Sequence, residues 1–195
     1  MANNQNQQLT NDDILSVLET RNINFDKVFT LEYTQQIIDL LDRVIAYDNL
    51  LNYSDDEKYI RFTLNTPGGS IFSLLALLEK IEKMKADGYK VHTHVASMAA
   101  SCGFILFASG TYKTVSSFAY LLNHQGSSMA SGTVKDMEIS LELSKKLDEQ
   151  LNQYLRDNTE MTEEEISRPY VTNTDIWYTA DEAISKGIAH KIVNF

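Results

Sequence analysis

Cysteine is nearly absent from this chain: Cys102 stands alone, so no internal disulfide can form, which fits a reducing compartment. Basic residues are also in deficit, 17 Lys and Arg against 27 Asp and Glu for a formal net charge of −10. Phosphate backbones are held by clustered Lys and Arg, so this balance argues against non-specific nucleic-acid binding. No apolar run approaches the roughly 18 residues a membrane span needs. Met1 to Gln8 has neither a basic flank nor an apolar stretch, so nothing there marks export and a cytoplasmic location is expected. Internal repeats and linkers are missing as well. What is left, 195 residues with 43% hydrophobic and 23% charged side chains, suits one globular domain with a real core.

Residues 1–10 are a low-complexity Asn/Gln tail expected to be disordered, and residues 11–195 are expected to fold. Helix patterns cover Asp12 to Thr20, a segment capped by Thr34 in which Ile37, Ile38, Leu41, Val44 and Ile45 recur, and a segment from Ile71 to the stop at Gly88. Further helices are expected from Cys102 to Ala108, from Thr133 to Asn158, and after the caps Thr162 and Thr179. Strand patterns occupy Val28 to Leu31, Tyr59 to Leu64, Tyr89 to Val95, Tyr112 to Val115, Phe118 to Asn123 and Ile188 to Val193. Strands alternating with helices predict an α/β domain with largely parallel pairing.

Three polar residues stand at the edges of these apolar elements. Ser101 lies in Met98-Ala99-Ala100-Ser101-Cys102-Gly103, among small side chains where strand gives way to helix. A serine hydroxyl becomes a nucleophile when a base takes its proton, and the base needs an orienting carboxylate. His124 ends the run Phe118 to Asn123, and Asp175 opens Asp175-Ile176-Trp177-Tyr178-Thr179. Leu64-Asn65-Thr66-Pro67-Gly68-Gly69-Ser70 joins a strand to a helix through a turn able to expose backbone N–H groups. The amides of Gly69 and Cys102 could together receive an oxyanion, where each fixed donor is worth roughly 3 kcal/mol.

The turn Asn65 to Ser70, the serine turn Ala99 to Gly103, the histidine segment Leu121 to Gln125 and the segment Asp175 to Ala183, in that order, resemble the proteolytic subunit of the Clp protease (ClpP). The match runs from about Lys27 to Phe195. The resemblance implies a ClpP/crotonase-like stacked β-β-α spiral with a protruding handle at about 126–158. It implies a Ser101–His124–Asp175 triad, an oxyanion hole at the Gly69 and Cys102 amides, and substrate binding along Gly68, Gly69, Gly126, Ser127 and Ser128. It also implies a serine endopeptidase acting on unfolded polypeptides inside two stacked heptameric rings, without metal or other cofactor. ATP would enter only through an AAA+ unfoldase partner. The family pattern is broken at Ser97, where glycine is usual, at Cys102, where methionine is usual, and at Gly126, where proline is usual. The N-terminal segment departs furthest, which predicts altered coupling to an unfoldase.

Plainer readings exist for each residue. Taken singly, Ser101 is a packing residue, His124 a loop histidine, Asp175 a surface carboxylate and the Pro-Gly-Gly segment an ordinary turn. His92 and His94 project from one strand face, as metal ligands can, but no further ligand cluster accompanies them and they read as flank residues of the sheet. Cys102 reads as a packed thiol. The Thr133 helix could be a surface helix packed by Met137, Leu141, Leu147, Leu151 and Leu155. Two alternatives to the protease stand beside it: a ring subunit without catalysis, and a crotonase-like acyl-CoA enzyme.

Overall fold

The computed structural model describes residues 10–126 and 131–193. Along them run α1 (Asn11–Thr20), β1 (Asn22–Phe25), α2 (Leu31–Leu51), β2 (Tyr59–Thr66), α3 (Ile71–Ala86), β3 (Lys90–Ala100) and α4 (Cys102–Ala108). They continue with β4 (Tyr112–Val115), β5 (Tyr120–Asn123), α5 (Val134–Asn158), α6 (Glu163–Thr172), β6 (Ile176–Thr179), α7 (Ala180–Ser185) and β7 (Lys191–Ile192). Side-chain oxygens set the helix starts except at α4, where Ser101 makes no side-chain cap. Thr10, Thr133 and Thr179 each accept an N3 amide while Asp13, Asp136 and Glu182 reach back to the cap amide. Such caps contribute about 1 kcal/mol each. Thr10, the last residue of the Asn/Gln tail, is thus a helix cap, and residues 1–9 lie outside the described residues.

Two expectations near residue 30 are corrected. The cap of α2 is Thr30, whose hydroxyl accepts from the Tyr33 amide at 3.2 Å, and Thr34 lies buried inside the helix. Because the helix begins there, Val28 to Leu31 forms no strand, and only Phe29 makes an isolated parallel bridge to Gly69. The strand is Asn22–Phe25 instead, with Ile23 and Phe25 turned inward.

One seven-stranded sheet runs β1-β2-β3-β4-β7, all parallel, with β5 beside β3 and β6 antiparallel to β5. β3 is longer than its hydrophobic pattern suggests and serves two neighbours. His92 to Val95 pair with β4, and Met98 to Ala100 pair with β5. The register between β2 and β3 slips at Leu64 and Thr66, so that Val95 and Ala99, four residues apart on β3, face residues only two apart on β2. Such a bulge bends a strand and re-aims the residues beyond it; on β3 the bulge leads directly to Ser101. The expected strands Phe118 to Asn123 and Ile188 to Val193 shorten to β5 and β7.

Phe25, Phe29, Phe62, Phe104 and Phe107 fill the core between the sheet and helices α2, α3 and α4. Full burial of such a side chain stabilises by roughly 1.5–3 kcal/mol. The surface reading of α5 needs a correction: Leu155 is buried and Leu147 and Leu151 half-buried, but Met137 and Leu141 are exposed. The N-terminal half of this helix stands away from the core.

Candidate active site

Ser101 is the hinge between β3 and α4 and adopts φ 57°, ψ −122°, a conformation that L residues avoid. Such a backbone costs of order 1–3 kcal/mol and persists only when its surroundings hold it. They do here. The Ser101 amide donates to the Leu122 carbonyl at 3.1 Å, and the Ser101 carbonyl accepts from the Phe104 amide at 2.9 Å. The geometry is a sharp strand-to-helix turn that lifts a hydroxyl clear of the sheet.

The turn before α3 closes against it. Gly68 has φ 98°, and a Cβ there would lie 2.7 Å from both the Ala100 carbonyl oxygen and the Ser101 Cβ. Gly69 has φ 143°, and its Cβ would strike the Phe29 backbone at 2.6 Å. No other residue fits either place without moving the serine turn or the β1–α2 connection. Neither the Gly69 amide nor the Cys102 amide donates to a backbone carbonyl among the described residues. The Cys102 thiol donates to the Gly69 carbonyl at 3.2 Å, tying the turn to α4. Burial pushes this thiol up to about 11, so it stays protonated at neutral pH and is poorly suited to attack.

His124 follows β5, and its Nε2 lies 2.8 Å from the Ser101 Oγ. The antiparallel ladder ends at Asn123 and Ile176, which leaves His124 and Asp175 opposite each other just beyond it. His124 Nδ1 and Asp175 Oδ1 stand 3.7 Å apart, within ion-pair reach but beyond a normal hydrogen bond. The Asp175 side chain is 62% exposed and that of His124 only 23%. The three residues named from the sequence therefore converge, two in direct contact and the third one step looser.

A cleft of about 400 Å³ opens on this cluster, lined by Gly69, Ser101, Cys102, His124 and Gly126 and walled by α5. Gly126 lines it, whereas Ser127 and Ser128 fall outside the described residues. The sequence reading missed the polar part of the α5 wall, where Ser140, Ser144, Asp148 and Asn152 recur every fourth residue beside Leu143, Leu147 and Leu151. The signal was available: Asp148 and Asn152 sit at helical spacing from Leu155, on the face that is buried. His92 and His94 do not join this cleft. His92 stands between the rings of Tyr59 and Tyr112, and His94 Nδ1 is 2.9 Å from the Thr114 hydroxyl.

A family model described as Clp protease matches residues 5–195. The ATP-dependent Clp protease proteolytic subunit 2 of Bifidobacterium longum (strain NCC 2705) is 33% identical over 157 residues, covering 80% of this chain and 73% of that protein. The ATP-dependent Clp protease proteolytic subunit 3 of Rhodococcus jostii (strain RHA1) is 31% identical over 183 residues, covering 91% of this chain and 88% of its own length. A proteolytic subunit 2 from Synechococcus sp. (strain CC9605) is 30% identical over 158 residues.

Proposed function

The chain belongs to the Clp protease family, and from that membership we propose that it is a proteolytic subunit whose Ser101, His124 and Asp175 hydrolyse peptide bonds of unfolded polypeptides. The observation that carries this reading is the 2.8 Å contact between His124 Nε2 and the Ser101 Oγ on a strained strand-to-helix turn. Ser101 Oγ attacks the scissile carbonyl as His124 takes its proton. The tetrahedral oxyanion is received by the Gly69 and Cys102 amides, neither of which donates to a backbone carbonyl among the described residues. His124 then protonates the leaving amine, and water repeats the cycle on the acyl-enzyme. Asp175, 3.7 Å from His124 Nδ1, fixes the imidazole tautomer and offsets its positive charge.

Extended substrate pairs its backbone beside Gly69 and with Gly126 to Gly132, a mode that tolerates many sequences. The bond cleavage itself draws on side chains, amides and water and needs no metal or nucleotide. We place the subunit in an oligomeric chamber of two stacked heptameric rings in the cytoplasm, fed by an AAA+ unfoldase that supplies the ATP-dependent step. The exposed apolar side chains Val134, Ile139, Leu141 and Leu143 on α5 support a ring-to-ring contact through that helix. A serine-directed fluorophosphonate tests the core of the reading. It is expected to label the wild type at Ser101 and to leave Ser101→Ala unlabelled; peptide hydrolysis by purified Ser101→Ala would refute it.

A further inference from the structure

Asp148 is a buried carboxylate on the wall of the cleft. Its Oδ1 accepts the Gly126 amide at 3.3 Å, and the side chains of Gln125 and Tyr170 interact with it from the two other elements that meet there. Burial pushes the carboxyl above its ordinary range, while these donors and the nearby His124 pull it back toward the charged form. A carboxylate is costly in such a place unless it is bonded. An apolar residue would extend the face that carries Leu151 and Leu155, so packing does not ask for a carboxylate there. The groups it holds are the two residues immediately after His124. β5 ends at Asn123, so beyond the sheet the His124 corner has no ladder of its own to fix it.

We propose that Asp148 is a positioning residue for His124: from α5 it clamps the Gln125–Gly126 corner and so sets the reach of Nε2 to the Ser101 Oγ. The inference rests on Ser101 acting as the nucleophile and His124 as its base. It makes the base answer to the placement of α5, because a shift of that helix moves the clamp. The contact with Gly126 N–H needs an acceptor rather than a charge, so an asparagine retains it and an alanine does not.

The test compares Asp148→Ala and Asp148→Asn in the full chain, using peptide hydrolysis, fluorophosphonate labelling, thermal midpoint and assembly state as readouts. A displacement of a catalytic group on the scale of an ångström costs up to about 10²-fold in rate. Asp148→Ala is expected to lower kcat and the labelling rate by about tenfold to that limit, with KM, thermal midpoint and assembly near those of the wild type. Asp148→Asn is expected to recover most of the loss. Three results would each overturn the inference: full activity in Asp148→Ala, equal impairment in both variants, or a loss that tracks melting or dissociation. With the wild type labelled at Ser101, those results leave the protease reading standing. A wild type that resists labelling removes the protease reading and this one with it.

Discussion

Asp48 and Asp175 each face a basic side chain, and their surroundings could hardly differ more. Asp48, on α2, is fully buried and receives both ends of the Arg21 guanidinium, one contact at 3.0 Å, together with the Tyr89 hydroxyl at 2.8 Å. Arg21 caps α1 in a left-handed conformation, and its guanidinium lies over the rings of Tyr47 and Tyr53. Both carboxylate oxygens have donors, and α1, α2 and the start of β3 are locked together. Asp175 is mostly exposed and stands 3.7 Å from the His124 ring, which on the proposed mechanism gains and loses a proton. One carboxylate is saturated and holds structure; the other is left loose where protons would move. The strain lies on the loose side as well, at the Ser101 turn.

The comparison predicts that changes at the two places separate activity from stability. Ser101→Gly has the largest effect. Loss of the nucleophile is expected to reduce turnover by about 10⁶. Glycine accepts a positive φ without strain, so the same variant should gain about 1 kcal/mol of stability. Peptide hydrolysis and a denaturant titration read the two effects in opposite directions. A glycine variant that lost stability would remove the strain argument.

Asp175→Asn comes next. If the pair works as a triad, the amide holds the wrong imidazole tautomer and turnover falls by about 10⁴ with little change in melting. A loss under about tenfold would mean that Asp175, at its present distance, is not what orients His124. Asp48→Ala reverses the pattern. It strands a buried guanidinium, which costs about 3–5 kcal/mol of stability, while the turnover of the molecules that remain folded should match the wild type. Denaturant midpoint and specific activity per folded subunit check this together.

The α/β architecture was legible in the sequence, and so was a candidate site, while details of the frame were not. Ser101, His124 and Asp175 each stand at the edge of an apolar element, but their order within the four Clp-protease-like motifs is what singled them out; Ser101 and His124 line one cleft, with Asp175 3.7 Å from His124. Thr30 was missed in favour of Thr34 because both are hydroxyls ahead of a helical stripe, and it is the Thr30 hydroxyl that accepts from the Tyr33 amide in the first turn. The second half of β3 was missed for a related reason. Met98-Ala99-Ala100 has no alternating pattern of its own, and its strand character comes from β5 arriving alongside. Asp148 escaped notice because an acidic residue in a helix is ordinarily a solvated one; its burial depends on Gly126 and Tyr170, far from it in sequence.

The smallest expected effect concerns the histidines outside the site. His94 is buried beside Thr114, and burial first, with the Arg61 charge second, lowers its pKa below the ordinary 6.5. His92 is lowered by burial and by Arg61 and Lys90, and His190 by burial and Lys113 against the opposing Glu160. All three bind protons less readily folded than unfolded. As pH falls through the unfolded value near 6.5, the unfolded chain takes up protons that the folded chain refuses, so stability decreases with acidification. The stabilisation is complete above that value and is lost as pH descends toward the folded pKa values. The carboxylates with lowered pKa, Asp136, Glu163 and Glu182 among them, have ordinary values of 3.8 or 4.5 and act at lower pH. Asp148, raised by burial, works in the opposite sense and gains stability on acidification, so a decline in the window from about pH 6.5 to about 5 is assigned to the histidines. The thermal midpoint should be level between about pH 8 and 7 and decline below about 6.5. His94→Gln, which keeps a polar group beside Thr114 without a titrating one, should make that decline shallower. A variant whose midpoint falls as steeply as the wild type's would assign the loss to other groups.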